Sequence, residues 1–355
     1  MLPANQADAI IADLVPPPDE SCRETLALWD VQGRVLAETV TSQVDIPHWD
    51  NSAMDGYAVR YADVQGAGEA SPKTLKVVEE IPAGHQPQKA IAAGQAARIF
   101  TGGMLPEGAD TIVIQENAQR QENQVSVVSA PAPEAFVRHR GAFHRAGEPL
   151  LTPGVVLGAP DIAVLATAQR PQVQVYRRPR VAILSTGNEL VTPDQPLQPG
   201  QIVDSNQYAL AALVRHAGAE PVPLGIVPDE PALLKRAIAQ AIDQADVVLS
   251  SGGVSVGEYD YVDRILVELG AQIHIRAVAV KPGKPLTVAT VDNDSRTLYF
   301  GLPGNPVSSL VSFWRFVQPA LRKLGGRSAG WGPTFLPATT TQELRAGGQR
   351  ETYLW

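Results

Sequence analysis

The sequence predicts a multidomain α/β protein whose largest domain is a three-layer α/β/α sheet. Two patterns predict this fold class. Between residues 180 and 324, short apolar runs alternate with segments of helical period, as in a parallel sheet covered by helices. Residues 45–139 are instead rich in turn residues and short β-prone runs, which predicts a small inserted β domain. The length of 355 residues accommodates two or three domains.

Four domains are predicted in chain order. Residues 5–15 are expected to form a short amphipathic helix, and residues 24–40 a helical stretch that Gly33 interrupts. The predicted domains are an α+β N-terminal domain of helical and linker segments (1–44 and 140–176), the inserted β domain (45–139), the α/β sheet domain (177–325) and a fragment of a largely absent C-terminal β domain (326–355).

The composition limits the partners and the compartment. The formal net charge is −8 and the isoelectric point is near 5.3, which argues against nucleic acid or a membrane surface as the main partner. The lone cysteine, Cys22, excludes an intrachain disulfide and favours a reducing cytoplasm. The six histidines are scattered without metal-ligand spacing, so a zinc site is not expected.

Residues 246–263 are the stretch around which the α/β domain is organised. Residues 247–249 have the continuous apolarity of a strand buried on both faces, and a serine–glycine loop follows them. Such a loop before a helix suits an anion such as phosphate, and Asp260 beside a phosphate suits a divalent cation. The alternative is that Glu258 and Asp260 only complement the helix dipole. The loop matches neither the dinucleotide-binding nor the Walker pattern.

Three glycine-bearing loops are predicted to meet at one edge of the sheet. Each follows a strand, and the carboxyl ends of parallel strands share an edge where ligands bind. The alternative is three unrelated tight turns. The loops are 185–189, 250–260 and 302–306, and the hydroxyl groups that they add are those of Ser185, Thr186, Ser251 and Ser255.

Two lysines lie close together in the segment KPGKP. Lys281 and Lys284 are held between prolines, and two fixed ammonium groups repel one another unless they share an anion. The segment therefore indicates an oxyanion site, with a pair of solvated surface lysines as the alternative. The segment DNSAMDGYAVR contains Asp50 and Asp55, and the sequence leaves open whether they cap turns or act on a ligand.

Six segments together resemble the molybdopterin molybdenumtransferase (MoeA) family, which includes the E domain of gephyrin. The resemblance runs in one register from about residue 30 to residue 324. It implies a sheet domain of the molybdopterin-binding type and an enzyme of molybdenum cofactor synthesis. The segments are DNSAMDGYAVR, RIFTGGMLPEGAD, LSTGNEL, SSGGVSVGEYDY, KPGKP and GLPGNPVS.

The resemblance implies a specific reaction and assembly. Adenylylated molybdopterin binds, molybdate is inserted at the dithiolene, and AMP is released with help from Mg²⁺. Members of the family are elongated homodimers in which the sheet domain of one subunit and the inserted β domain of the other share each active cleft. The adenylylating enzyme of the same pathway is a further expected partner.

The resemblance also assigns roles to individual residues. The partner subunit would supply Asp55, a catalytic residue, and Thr101, which contacts the cofactor. Asp260, Lys281 and Lys284 would be the other catalytic residues, with the lysines and Pro285 at the molybdate. The implied metal ligands are Asp260, Glu189 and Asp229. The remaining cofactor-binding residues are Ser185, Thr186, Gly187, Glu189, Asp204, Ser251, Gly252, Gly253, Ser255, Gly257, Pro285, Pro303, Asn305 and Pro306.

The sequence departs from the family pattern after Arg140. The family has Arg-Gly-Glu-Asp there, whereas this chain continues with Gly141, Ala142 and Phe143, which leaves Glu148 as the candidate acidic substitute. This change and the short C-terminal segment favour one alternative, a non-catalytic molybdopterin carrier or scaffold. A second alternative is a nucleotide-acting enzyme, because the sheet domain also resembles that of competence-damage-inducible proteins.

Overall fold

The computed structural model describes residues 1–253, 261–292, 296–344 and 348–354. The helices are α1 (Ala4–Leu14), α2 (Tyr61–Val64), α3 (Ala159–Thr167), α4 (Asn206–His216), α5 (Pro231–Gln244), α6 (Tyr261–Glu268), α7 (Pro306–Ser312) and α8 (Gln318–Leu324). The first twelve strands are β1 (Arg23–Ala27), β2 (Val35–Leu36), β3 (Val40–Thr41), β4 (Asn51–Ser52), β5 (Gly56–Val59), β6 (Lys73–Ile81), β7 (Gln95–Ile99), β8 (Thr111–Ile114), β9 (Ala118–Gln121), β10 (Gln124–Val127), β11 (Val137–Arg138) and β12 (Pro149–Leu151). The others are β13 (Gln172–Tyr176), β14 (Arg180–Thr186), β15 (Leu190–Val191), β16 (Ile202–Val203), β17 (Glu220–Val227), β18 (Val247–Ser251), β19 (Gln272–Ala277), β20 (Val280–Lys281), β21 (Pro285–Val291), β22 (Thr297–Leu302) and β23 (Glu351–Thr352).

The chain divides into two compact units. The first unit comprises Met1–Glu38, Thr152–Ile162 and Pro171–Trp355, and the second comprises Thr39–Leu151 and Ala163–Arg170. The finer division into four domains stays a prediction. Among the described residues, no helix combines the length and the apolarity needed to cross a bilayer.

The first unit contains the predicted α/β sheet. Its strand order is β17-β14-β18-β22-β21-β19. The first four strands run parallel, and β21 and β19 extend the sheet as antiparallel strands. The prediction of a strand–helix alternation is therefore confirmed, and β18 occupies an interior position between β14 and β22.

Apolar side chains on both faces bury this sheet. In β14, Val181 and Ile183 belong to the core formed with α1, α4 and α7, whereas Ala182 and Leu184 belong to the core formed with α5 and α6. Every residue of β18 is buried. A strand covered on both faces needs apolar side chains in both directions, which explains the uninterrupted run at 247–249.

The prediction of a helical stretch at 24–40 is wrong. Residues 23–27 form β1, which pairs antiparallel with β13, and β2 pairs with the other edge of β13. The side chain of Arg34 is buried beside Glu24, to which it donates a hydrogen bond. Cross-strand pairing with a segment about 150 residues away overrides the local helical preference here.

The second unit is built on a sheet with the order β8-β5-β7-β6-β10-β9. Its strands pair antiparallel except for β6 and β7, which are parallel. Tyr57 and Val59 of β5 belong to one buried cluster, and Ala58 between them belongs to another. The β character expected for 45–139 is thus observed.

The C-terminal segment adds a short strand to the first unit. β23 pairs with β20 in parallel, and the Tyr353 amide donates to the Lys281 carbonyl over 2.8 Å. The Arg315 side chain, 6% exposed, donates to the Tyr353 hydroxyl over 2.9 Å and to Asp8 over 2.7 Å. These contacts hold the strand that carries Lys281 in place.

Candidate functional site

The carboxyl ends of three neighbouring strands meet, as predicted, at one edge of the six-stranded sheet. Ser185 at the end of β14 aligns with Ser251 of β18, and Ser251 aligns with Leu302 of β22. The Gly252 amide donates to the Leu302 carbonyl over 3.2 Å, which joins the second loop to the third.

A cleft of about 740 Å³ opens at this edge. Its volume lies within the range of small-molecule and cofactor sites. Eleven of the predicted binding residues line it: Thr186, Gly187, Glu189, Asp229, Ser251, Gly252, Gly253, Pro285, Pro303, Asn305 and Pro306.

The loops approach one another so closely that a glycine is required. At Gly252, φ is +89°, and an added Cβ atom would lie 2.4 Å from the Thr186 carbonyl oxygen. At Gly304, an added Cβ atom would lie 3.6 Å from the Gly252 Cα atom. Only a residue without a side chain permits this backbone conformation and this proximity at position 252.

Asn305 caps α7 as well as lining the cleft, and Asn before Pro at a helix start is the sequence pattern typical of such a cap. Its side-chain oxygen accepts a hydrogen bond of 3.1 Å from the Ser308 amide, and Pro306 is the first residue of α7. This N-cap fixes the turn that brings the third loop to the cleft.

Two predicted binding residues do not line the cleft. The Ser185 hydroxyl is fully buried 3.1 Å from the Ser251 hydroxyl. The Asp204 side chain, 2% exposed, accepts hydrogen bonds from the Gln207 amide and the Gln207 side chain, at 3.2 and 3.1 Å. Both side chains contact other residues of the first unit instead of the cleft. A ligand contact for either residue stays a prediction.

Two exposed carboxylates face the cleft. Glu189 and Asp229 both line it, and the Asp229 amide donates a hydrogen bond of 3.1 Å to the Asn188 side-chain oxygen. Asp260, Ser255 and Gly257 lie outside the described residues. Within the described ranges, no group of three or more His, Cys, Asp or Glu side chains is placed to hold a metal ion. Mg²⁺ commonly takes one or two carboxylates with phosphate oxygens and water, so Glu189 and Asp229 fit that ion.

The lysine segment reaches the cleft through Pro285. Pro285 is a lining residue, whereas Lys281 and Lys284 are not. Lys281 is exposed, and the Lys284 carbonyl accepts a hydrogen bond of 3.0 Å from the Val278 amide. The shared anion predicted for the two ammonium groups stays a prediction.

Asp55 and Thr101 meet in the second unit. One carboxylate oxygen of Asp55 accepts hydrogen bonds of 2.7 Å from both the Thr101 amide and the Thr101 hydroxyl. These bonds, the amide first, lower the pKa of Asp55 below its ordinary value, and the charge of Arg98 acts in the same direction. Asp55 is therefore a partly exposed, ionised carboxylate whose orientation is fixed by Thr101.

The segment that departs from the family pattern is anchored by Asp45. The Asp45 carboxylate accepts hydrogen bonds of 2.9 Å from the Ala146 amide and 2.5 Å from the Arg140 side chain. These two partners, in that order, lower the pKa of Asp45. Phe143 is 70% exposed between them in sequence, and Glu148 is exposed as well. The role of Glu148 as a substitute acid stays a prediction.

The sequence analysis missed several lining residues. The polar ones are Asn206 and Tyr261, and the signal for Asn206 was its place in the run Asp-Ser-Asn before α4. The Asn206 side-chain oxygen and the Thr186 hydroxyl are buried, and neither has a hydrogen-bond partner among the described residues. Such atoms destabilise a fold unless a ligand or water reaches them. The apolar lining residues missed were Leu190, Ile202, Leu234 and Val262.

Two family models match the chain. A model described as MoeA N-terminal region (domain I and II) matches residues 2–168. A second model, described as probable molybdopterin binding domain, matches residues 182–323, which include all three loops of the cleft.

Relatives of known name align with nearly the whole chain. A Nostoc protein named molybdopterin molybdenumtransferase is 58% identical over 98% of this chain and 80% of its own length. A Haemophilus influenzae protein of the same name is 37% identical over 97% of this chain and 83% of its own length.

Solved structures agree in fold. A crystal structure described as the molybdopterin biosynthesis MoeA protein from Pyrococcus horikoshii superimposes with a TM-score of 0.76 at 34% identity. The match covers 93% of this chain and 81% of that one. A second structure of a MoeA protein from that organism gives a TM-score of 0.79 at 30% identity, over 92% of this chain and 80% of the other.

Proposed function

We propose that this chain, which belongs to the MoeA family, inserts molybdate into adenylylated molybdopterin and releases AMP. The observation that carries this proposal is the cleft at the sheet edge, where glycine loops and two carboxylates meet. Two relatives that align with nearly the whole chain bear the name of this activity.

The loops of the cleft provide the binding surface for the phosphate groups. Gly252 and Gly253 have no Cβ atoms that would hold a ligand away from the backbone, and α7 begins at the third loop. The Gly252 amide is used by the Leu302 carbonyl, so the Gly253 amide is the candidate donor to phosphate. Fixed N–H groups at such an edge stabilise phosphate charge, including the charge that develops on the departing AMP.

Glu189 and Asp229, with Asp260, would hold Mg²⁺ at the cleft. When bound, the ion would neutralise part of the charge on the phosphate oxygens. Both Glu189 and Asp229 are exposed where they line the cleft, so a cation can reach their carboxylates. Lys281 and Lys284 would offset the charge of molybdate near Pro285.

The protein acts as a homodimer in the cytoplasm and receives its substrate from the adenylylating enzyme. In the dimer, Asp55 and Thr101 of the second unit complete the cleft of the partner subunit. The support for this is that hydrogen bonds from Thr101 orient the Asp55 carboxylate and lower its pKa. The single cysteine supports the reducing compartment.

The direct test is to incubate the protein with adenylylated molybdopterin, molybdate and Mg²⁺, and to measure AMP. We expect molybdate-dependent AMP release, and about 100-fold slower release by Glu189→Gln, because a charge at the cation is lost. Glu220→Gln removes an exposed carboxylate at the opposite end of the sheet and should release AMP at the wild-type rate. Ligand binding without AMP release by the wild type would reject the enzyme and favour the carrier.

Mixed subunits test the shared cleft. Asp55→Ala and Glu189→Gln are each expected to be inactive alone. If the cleft is shared, mixed dimers contain one cleft with neither substitution, so mixing the two variants after subunit exchange restores part of the activity. No recovery in mixtures that are shown to contain mixed dimers would exclude sharing.

A further inference from the structure

We infer that Asn206 recognises the amino-bearing edge of the substrate's heterocycle, an inference that rests on the proposed function. The ligand class is a flat, nitrogen-rich ring that carries an exocyclic amine. The Asn206 side-chain oxygen would accept a hydrogen bond from that amine at the cleft wall.

The orientation of the Asn206 amide is fixed by the third loop. Asn206 is 8% exposed at the first position of α4, and its Nδ2 atom donates a hydrogen bond of 2.9 Å to the Gly304 carbonyl. This bond leaves Oδ1 as the atom without a partner, because a carbonyl can only accept. Since Asn206 lines the cleft, a bound ligand can supply the missing donor.

A helix-capping role does not account for this oxygen. The amide at the second position of α4, that of Gln207, receives its cap from the Asp204 carboxylate over 3.2 Å. Asn206 Oδ1 accepts no hydrogen bond from the helix and is buried. A buried acceptor left unpartnered destabilises the fold, so its presence beside a cleft points to a ligand.

The chemistry of the atom decides which part of the substrate it meets. Ionised phosphate and molybdate oxygens are acceptors, and two acceptors repel one another. An exocyclic amine is a donor and fits, whereas the carbonyl oxygen of an oxo analogue is an acceptor and does not. Polar atoms that must be matched by a ligand give strong discrimination against analogues lacking the partner group.

The cleft that Asn206 lines also offers apolar surface for a ring. Pro303, Leu234 and Pro285 provide apolar lining elsewhere in it. Thr186, 3% exposed, provides a second unpartnered atom, its Oγ1, which lies 3.0 Å from the positions of Cβ atoms built on Gly252 and Gly253. A hydroxyl can donate or accept, so it can pair with a ring nitrogen or a carbonyl.

The substrate contains two rings of this class, the pterin and the adenine, and matched ligand pairs separate them. Lumazine-6-carboxylate has a carbonyl oxygen in place of the exocyclic amine of pterin-6-carboxylate, and IMP differs from AMP in the same way. We measure the dissociation constants of all four with the wild type. We expect about tenfold tighter binding of the aminated member of one pair, and that pair identifies the ring. Equal binding within both pairs, or binding of none at millimolar concentration, overturns the inference.

Variants connect this preference to Asn206. Asn206→Leu and the smaller Asn206→Ala should abolish the preference and leave the non-aminated ligands bound with wild-type affinity. Ser309→Ala deletes a buried unpartnered hydroxyl that does not line the cleft, so it should keep the preference. Retention of the preference by folded Asn206 variants refutes the inference, whereas the proposed function fails separately if the wild type releases no AMP.

Discussion

The two ends of the parallel strands in the first unit differ in how their polar groups are satisfied. At the amino end, the Asp246 carboxylate accepts hydrogen bonds of 2.7 Å from both terminal nitrogens of Arg177 and from the Arg180 amide. At the carboxyl end, the Thr186 hydroxyl and the Asn206 oxygen lack partners among the described residues. The buried Asp246 carboxylate at the amino end is thus paired, whereas two buried polar atoms at the carboxyl end retain free hydrogen-bonding capacity.

This difference separates stability from ligand binding. Burial by itself would raise the pKa of Asp246, but hydrogen bonds from Arg177 and Arg180 outweigh it, so the pKa is lowered. The pairing at the amino end therefore stabilises the fold. At the carboxyl end, unpaired buried atoms weaken the fold and leave groups available to a ligand, as expected at the edge where α/β sheets bind ligands.

The largest expected effect is at the carboxyl edge, where one substitution should reduce both the stability of the fold and the release of AMP. Gly252→Ala should lower the free energy of unfolding by about 3 kcal/mol and abolish AMP release, because it adds backbone strain and a clash with Thr186. Gly218→Ala is the matched control, since φ is also +89° and an added Cβ meets nothing within 4 Å. It should cost about 1 kcal/mol from strain alone and leave AMP release unchanged. Chemical denaturation measures the unfolding free energy of both variants. Equal losses of stability in the two would show that the close approach at Gly252 is unimportant.

A smaller effect is expected at the paired edge. Asp246→Asn should lower the free energy of unfolding by about 2 kcal/mol, because a bidentate charged pair is broken, while AMP release stays at the wild-type rate. Glu268→Gln breaks exposed pairs with Lys235 and Arg264 and should leave the free energy of unfolding nearly unchanged. A loss of turnover in folded Asp246→Asn would contradict the separation of the two edges.

The lowered pKa of Asp246 also predicts how the free energy of unfolding depends on pH. The folded pKa of Asp246 lies below the ordinary value of 3.8, so its contribution is complete above that value. It is lost as the pH falls toward the lower folded pKa. The difference in unfolding free energy between the wild type and Asp246→Asn should therefore shrink in acid, and a constant difference from pH 7 to pH 2 would contradict this assignment.

The smallest expected effect concerns Asp55 in the second unit, whose carboxylate is hydrogen-bonded to Thr101 and partly exposed. Thr101→Val removes the hydroxyl donor but keeps the amide donor, so the pKa of Asp55 should rise part of the way to its ordinary value. Carboxyl chemical shifts followed through an acid titration measure this change. Thr74→Val, an exposed threonine paired with Ser126, serves as the control and should leave that pKa unchanged.

Much of the cleft was predictable because its loops follow regular rules. A continuous apolar run predicted the buried strand at 247–249, and Asn305 before Pro306 predicted the N-cap that the structure contains. Chain topology alone brings the three loops to one edge. The helix expected at 24–40 was wrong because the partner strand β13 lies about 150 residues further along the chain, outside any local window.

By itself, the sequence determined the α/β class, the order of the strands and helices around the cleft, and which loops meet there, since these follow from local periodicity and glycine, proline and capping residues. Only the tertiary structure decided which atoms of those loops remain unpaired. Ser185 and Asp204 find partners, whereas Thr186 and Asn206 do not. The physical reason is that hydrogen-bond satisfaction depends on distances between segments far apart in the chain, and no residue type reveals them.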